Sequence, residues 1–290
     1  MIFVRRGALG DMIMMTPVIR EYKKRNPHEK IWIETLCVEA FKNNPYVYHA
    51  SNTKHGFTDE RINLNGCYEK DFNEHPVFLY AKEAFGNEKL SSGYKLDIFS
   101  DREDYDFIRE QIFLLKIDRP IVTCHFGRNW TLVKDEILSS VIDLLIECGY
   151  CVIILGKGVE NEYKAPDKNV INLIGRNLSL QQIHALMKYS KLFVGTDTGI
   201  SHVAFASEIP AIVFYGFVSP ECRRPINDIP FLGIKGECEL MPCAEKIKNI
   251  SPNGDFTGVN CKTDYSCVKN LKVDAVNLQI ESFLNELNRC

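Results

Sequence analysis

Short apolar runs alternate with amphipathic stretches along most of the 290-residue chain. A short apolar run bounded by polar residues indicates a buried strand, and apolar residues recurring every three or four positions indicate a helix. The predicted strands are residues 2–5, 30–36, 61–64, 121–125, 151–155, 170–173, 191–194 and 211–215. The first predicted helix begins near residue 11. The other predicted helices cover residues 74–85, 101–115, 134–148, 179–189, 202–206 and 273–287.

Continuous apolar strands separated by helices are typical of a parallel sheet covered on both faces. The length of the chain favours two domains, and the helix over 101–115 ends close to a natural boundary. We therefore predict an α/β protein with two Rossmann-like domains facing a cleft, residues 1–118 and 119–290, with the last helix free to pack back on the first domain. Residues 45–66 lack clear periodicity and are expected to form loops and short strands along the cleft.

Composition narrows the classes of partner. The chain carries 35 basic and 38 acidic residues, a net charge of −3, so nonspecific nucleic-acid binding is not expected. The basic pair Arg5 and Arg6 is followed by an apolar run that Asp11 interrupts, which excludes a secretory signal. No apolar run approaches the ~20 residues that cross a bilayer. These features predict a cytoplasmic protein without a transmembrane segment, with at most peripheral membrane contact.

Two glycine-containing turns stand out because each follows a predicted strand and opens a helix. The first is RRGALGD, residues 5–11, and the second is GTDTGISH, residues 195–202. The start of a helix favours an anion, because its first N–H groups are free and its dipole is positive there. One such turn in each half predicts a ligand in the crevice at the strand ends. Taken alone, Asp11 can equally be a helix cap.

Together the two turns resemble glycosyltransferase family 9, the heptosyltransferases that build lipopolysaccharide cores. The family pattern is G-D followed by apolar residues and T-P near the N-terminus, then a late G-x-D-[ST]-G-x-x-H. The matching positions here are Gly10, Asp11, Thr16, Pro17, Gly195, Asp197, Thr198, Gly199 and His202. The resemblance covers most of the chain and is faint between about residues 45 and 118. It implies the GT-B architecture of two facing Rossmann-like domains.

The resemblance also implies a reaction. The chain would be an inverting glycosyltransferase that moves a sugar from a nucleotide-diphospho-sugar, with ADP-heptose as the leading donor, to an acceptor hydroxyl of a glycan such as the lipopolysaccharide core. Such a transfer needs a base for the acceptor hydroxyl and positive charge for the departing diphosphate. Asp11, in the acceptor-side turn that contains Gly10, matches the family's catalytic carboxylate. No cofactor is required for this chemistry.

Donor-binding residues follow from the second domain. Thr198, Gly199 and Ile200 would give backbone N–H groups to the diphosphate. Asp197 would orient the turn or bond a sugar hydroxyl, since a carboxylate repels phosphate. His202 would donate to a phosphate oxygen, or else be a satisfied structural histidine.

Three further contacts complete the predicted donor site: a cation for the phosphates, an apolar side chain for the nucleotide base and a carboxylate for the ribose. Arg128 stands two residues before Trp130, where the family usually has lysine, and an arginine fork also suits phosphate. Leu178, in the segment GRNLSLQQI, would pack on the nucleotide base. Glu160 or Glu162 could bond the ribose hydroxyls.

Eleven cysteines are many for a cytosolic chain, and an odd number argues against a complete disulfide framework. Four of them lie in one polar segment, with four, seventeen and five residues between them: Cys238, Cys243, Cys261 and Cys267. Four thiolates can hold zinc or iron. Protein-modifying members of the heptosyltransferase family carry iron on a comparable set, which implies a structural iron or zinc here. Thiols packed under the final helix are the alternative.

Three alternative functions are weighed against the sequence pattern. A Rossmann dehydrogenase or epimerase is disfavoured, because RRGALGD lacks the G-x-G-x-x-G spacing. A protein O-glycosyltransferase of the same fold would have a protein rather than a glycan as acceptor. A noncatalytic nucleotide-sugar-binding module would lack the carboxylate that Asp11 provides.

Overall fold

The computed structural model describes residues 1–54, 56, 60–86, 89–127, 133–157, 167–241, 243, 248–250, 256–259 and 261–289. Its strands are β1 (Ile2–Val4), β2 (Trp32–Glu34), β3 (His49–Ser51), β4 (Arg61–Asn63), β5 (Ile121–His125), β6 (Cys151–Leu155), β7 (Val170–Asn172), β8 (Ser190–Thr196), β9 (Ala211–Phe214), β10 (Phe231–Ile234), β11 (Lys248–Ile250) and β12 (Phe256–Val259). Its helices are α1 (Leu9–Arg25), α2 (Pro76–Phe85), α3 (Arg102–Leu114), α4 (Asp135–Glu147), α5 (Leu180–Tyr189), α6 (Gly199–Ala206), α7 (Ser266–Lys269) and α8 (Val273–Leu287).

The first half forms a four-stranded sheet in the order β3-β2-β1-β4. All its pairings are parallel, and β1 lies between its partners with Ile2 opposite both Trp32 and Arg61. The apolar residues of helix α1 from Met12 to Ile19 are buried in one core cluster with Phe3 and Ile33 of the sheet. The first glycine turn follows directly on the carboxyl end of β1.

The second half forms a six-stranded sheet in the order β10-β9-β8-β5-β6-β7, again entirely parallel. The predicted strands 121–125 and 151–155 match β5 and β6, and every residue of both is buried. This continuous burial confirms that the apolar runs mark central strands covered by helices on both faces.

The last helix packs on the second half. Helix α8 contacts α4 and β10, and its buried residues share one core cluster with the second sheet: Val276, Ile280, Phe283 and Leu284. It thus covers part of the second sheet. The two sheets lie on either side of the predicted boundary at residue 118.

Side chains and helices also join the two halves. Helix α1 contacts α6, and α3 contacts α5. His75 accepts a hydrogen bond from the Val77 N–H at Nδ1 (3.2 Å), so its Nε2 carries the hydrogen and donates to the Arg224 carbonyl at 3.2 Å. Burial lowers the pKa of His75 to about 3, so this bridge is made by a neutral ring.

Among the described helices, none combines the length and the apolar character that a membrane span requires.

Candidate functional site

The two glycine turns meet face to face at the starts of α1 and α6. A Cβ added to Gly10 would lie 2.8 Å from Cδ2 of His202, and one added to Gly199 would lie 2.9 Å from Cβ of Leu9. Both distances are too short for a real Cβ, so glycine allows the helix starts to approach this closely. The crevice predicted at the strand ends is therefore present, with one turn on each side.

Asp11 lies in the first turn of α1 and is buried. Its Oδ2 accepts a hydrogen bond from the Ala8 N–H at 2.8 Å and is 3.0 Å from Nη2 of Arg5. The structure therefore shows the capping role that the residue type suggested. The charge of Asp11 also acts on the second half, since it contributes to the raised pKa of Asp197.

Arg5 is the buried cation of this cluster and was not predicted as a site residue. Its Nη2 also contacts Oε1 of Glu69 at 2.6 Å, and its guanidinium carbon lies 5.0 Å from the ring centre of Tyr68 and 5.8 Å from that of Tyr80. In the sequence Arg5 stood out only as one of a basic pair. Glu69 lies 64 positions away, in a short 3₁₀ turn (Tyr68–Lys70) with no local signal.

A cavity of about 780 Å³ opens beside the second turn, where β5 and β6 end. It contains four predicted donor residues, namely Leu178, Thr198, Gly199 and Ile200, together with Ala8 and Leu9 from the first half. The first N–H groups of α6 have no carbonyl partner within the helix, so they are available to an anion there. The cavity thus has the position and size expected for a nucleotide-sugar.

Further cavity-lining residues were missed at the sequence level. His125, Lys157 and Arg176 line this space, and Nδ1 of His125 lies 3.2 Å from Oγ1 of Thr198. Lys157 and Arg176 add positive charge where a diphosphate would need it. Lysine and arginine in polar loops carry no distinctive local pattern, so only the fold brings them together. Arg128, Glu160 and Glu162 lie outside the described residues.

Asp197 and His202 flank the cavity from the same turn. Burial, reinforced by the charge of Asp11 and opposed by Arg223, raises the pKa of Asp197 to about 6. Burial and the charge of Arg223 lower the pKa of His202 to about 3, so its ring is neutral. Neither residue is among the described lining of the cavity. His202 packs instead against Gly10 and Phe205, so a contact with donor phosphate remains a prediction.

Arg223 connects the second half to the cluster around Asp11. It is buried in the loop after β9, and its guanidinium carbon lies 5.0 Å from the ring centre of Tyr68 and 5.8 Å from that of Phe72. Tyr68 therefore stands between two arginines, Arg5 from its own half and Arg223 from the other. This stacking fixes the two halves beside the candidate base.

A second, smaller cavity of about 440 Å³ lies at the carboxyl ends of β1, β2 and β4. Its lining combines three cations and two amides with one acid: Arg6, Lys54, Arg61, Asn63, Asn65 and Glu34, beside Val4. Arg61 Nη1 contacts Oε1 of Glu34 at 2.7 Å. Four of these residues come from the segment 45–66, in β4 and its flanking loops. That this segment lines the cleft between the halves stays a prediction.

The four late cysteines lie close enough for their charges to interact. Burial and the charges of Cys238, Cys243 and Cys261 raise the pKa of Cys267 to about 11. The sulfurs of Cys238 and Cys261 each lie 3.6 Å from Oγ1 of Thr263. Across the described parts of the chain, however, no group of three or more His, Cys, Asp or Glu side chains is arranged to hold a metal ion. A bound iron or zinc therefore remains a prediction.

Metal analysis separates a bound ion from packed thiols. If the cysteines ligate a metal, we expect about one iron or zinc per chain in protein purified without chelator or metal-affinity resin. Cys261→Ser should lose the metal and lower the unfolding temperature, because the cation no longer offsets the thiolate charges. Cys148→Ser, at an exposed cysteine on another part of the chain, should retain both. Metal-free protein in which all four thiols titrate would identify them as packing residues.

The chain is similar to known glycosyltransferases in part of its sequence and in its fold. Residues 135–251 match the model of glycosyltransferase family 9 (heptosyltransferase). No curated protein sequence matches the chain. Solved structures with similar folds include a glycosyltransferase family 9 protein from Veillonella parvula DSM 2008, with a TM-score of 0.72, 16% identity and coverage of 98% of this chain and 97% of that one.

Two further solved structures have a similar fold. E. coli ADP-heptose LPS heptosyltransferase II gives a TM-score of 0.70 at 16% identity, with 98% of each chain covered. The dodecameric iron-containing heptosyltransferase TibC of enterotoxigenic E. coli, in complex with ADP-D-β-D-heptose, gives 0.69 at 15% identity, covering 100% of this chain and 78% of that one. These structures confirm the fold with two Rossmann-like domains, GT-B. The family match confirms the predicted resemblance to glycosyltransferase family 9 and supports glycosyltransferase activity.

Proposed function

We propose that the chain is an inverting glycosyltransferase that uses a nucleotide-diphospho-sugar, with ADP-heptose as the leading donor, and a glycan hydroxyl as acceptor. One observation carries the proposal. Asp11 lies in the first turn of α1, next to Gly10, which packs against His202 and Gly199 at the start of α6, and Gly199 lines the larger cavity. A candidate base and an anion site thus belong to two helix starts that contact each other.

The proposed reaction is a single displacement. Asp11 takes the proton of the acceptor hydroxyl while that oxygen bonds to the anomeric carbon of the donor sugar. The bond from the anomeric carbon to the diphosphate oxygen breaks, and the nucleoside diphosphate leaves with the electron pair. Attack on the face opposite the leaving group inverts the anomeric centre. This chemistry requires no cofactor.

The leaving diphosphate gains negative charge, and the second half supplies N–H groups and cations that would stabilise it. The backbone N–H groups of Gly199 and Ile200 would contact its oxygens, and Lys157 and Arg176 would offset the charge from the cavity wall. Arg128 is proposed as a further phosphate contact. Leu178 would pack on the nucleotide base, since it lines the same cavity.

The charge of the smaller cavity suits an anionic acceptor. Its three cations against one acid would favour an acceptor that carries phosphate or carboxylate groups. Core glycans of lipopolysaccharide have that character, so this polar, basic lining supports a glycan rather than a neutral protein side chain. A cytoplasmic enzyme that meets such an acceptor at a membrane surface fits the proposal.

Thermal unfolding with candidate ligands tests this function. We expect ADP and ADP-heptose to raise the unfolding temperature, with a stabilisation of about 2.7 kcal/mol at 100 times Kd, and UDP, GDP and their sugars to act less. Mass spectrometry should then show one heptose added to a core glycan acceptor, and NMR should show an inverted anomeric centre. Stabilisation by ADP-heptose without transfer to glycan or protein would make the chain a binding module. Transfer only to a protein would identify the alternative acceptor.

A further inference from the structure

The charge balance around Asp11 is unusual for a candidate base. Nη2 of Arg5 lies 3.0 Å from Oδ2 of Asp11 and 2.6 Å from Oε1 of Glu69, so one guanidinium nitrogen serves two carboxylates. All three side chains are at least nine-tenths buried. Nη1 of the same arginine donates to the Leu64 carbonyl at 3.4 Å, which orients the fork.

A buried arginine next to a carboxylate stabilises its ionised form. Arg5 alone would therefore make Asp11 a poor acceptor of the acceptor proton. The second carboxylate changes this balance, because Glu69 competes for the same nitrogen and lies closer to it, at 2.6 Å against 3.0 Å for Asp11. Burial raises the pKa of Glu69, Arg5 opposes this, and Asp11 reinforces it, so the three charges act on one another.

We propose that Glu69 is a positioning residue that divides the charge of Arg5 between two carboxylates and thereby keeps Asp11 basic. When Asp11 takes up the proton of the acceptor hydroxyl, its hold on Arg5 weakens and the guanidinium remains paired with Glu69. The cluster thus holds Arg5 in place throughout the reaction. The catalytic consequence rests on the proposed function, whereas the coupling between Glu69 and Asp11 does not.

Other groups act on Asp11 from both halves of the molecule. Within the described chain, the titratable or charged groups that interact with the charge of Asp11 include Arg5, Cys37, Tyr68, Glu69, Tyr80 and Asp197. Burial raises the pKa of both Tyr68 and Tyr80 well above the usual range, so these phenols stay neutral. Among these residues, Glu69 is the carboxylate that shares the arginine with Asp11, which makes it the group to change.

Glu69→Gln tests the coupling without any enzyme assay. Removing the negative charge leaves Arg5 to Asp11 alone, so the carboxyl titration of Asp11, followed by carbon NMR and assigned with Asp11→Asn, should move to lower pH than in the wild-type protein. Glu69→Asp should restore part of the shift. Glu83→Gln, at an exposed position on α2, should leave the titration unchanged. An unaltered midpoint in folded Glu69→Gln protein would overturn the proposal.

The pH profile of kcat/KM supplies the catalytic readout. In Glu69→Gln the acid limb should move in the same direction, and the plateau should fall about 3- to 10-fold because a weaker base removes the proton less effectively. Donor affinity, measured by calorimetry, should not change. A lower plateau with an unmoved acid limb would indicate mere structural damage and contradict the positioning role. A shifted NMR midpoint in a wild-type chain that transfers no sugar would instead refute the proposed function and leave the coupling intact.

Discussion

Replacing Asp11 by Asn is expected to lower kcat by roughly 10²- to 10⁴-fold, the usual contribution of a general base. An amide has the size of the carboxyl group but cannot take up the acceptor proton. The helix should persist, because the Asn oxygen can still accept the Ala8 N–H that Oδ2 accepts now. Donor binding should also persist, since the larger cavity is lined mainly by the second half.

A matched control separates the base from the cap. Asp101 caps α3, where its Oδ1 accepts the Asp104 N–H at 3.0 Å, and it lies away from the two cavities. Asp101→Asn should therefore retain near-normal turnover. Steady-state rates and calorimetric donor affinities for both variants decide the outcome. If Asp11→Asn turns over like Asp101→Asn, Asp11 is a helix cap and no more.

Elements with strong local patterns were predictable. Strands β5 and β6 are fully buried apolar runs, and α4 and α5 have well-separated apolar faces, so their patterns reflect the packing directly. Strand β10 was missed because it lies at the sheet edge with mostly half-exposed residues and contains Gly233. The hairpin of β11 and β12 was missed as well, within a Pro- and Gly-bearing segment.

The two glycine turns were also predictable. Gly10, Asp11, Thr198 and Gly199 lie in short segments whose spacing is visible in the sequence, and the structure brings both turns together. Arg5 and Glu69 meet only because β1 leads into the crevice while a distant 3₁₀ turn folds over it. Lys157 and Arg176 likewise converge from separate loops. Such pairings depend on tertiary contacts, which local patterns do not record.

Gly7 lies against the side chains of Asp11 and Arg5. A Cβ added there would lie 2.0 Å from Oδ2 and 2.8 Å from Cγ of Asp11, and 2.9 Å from Nε of Arg5. Those atoms belong to side chains, so the backbone can keep its course while the carboxylate and guanidinium move. Gly7→Ala should therefore leave the fold intact and displace the candidate base.

We expect Gly7→Ala to lower kcat by about 10²-fold, since a displacement of the order of 1 Å in a reacting group can cost that much. Donor affinity should change little, because Gly7 does not line the donor cavity within the described chain. The matched control is Gly56→Ala, where no described atom lies within 4 Å of the added carbon. Rates, donor calorimetry and unfolding temperatures of both variants test the expectation. Normal turnover in Gly7→Ala would show that the carboxylate position beside Arg5 does not matter to catalysis, whereas unfolding of this variant alone would show that the turn cannot accommodate the methyl group by side-chain movement.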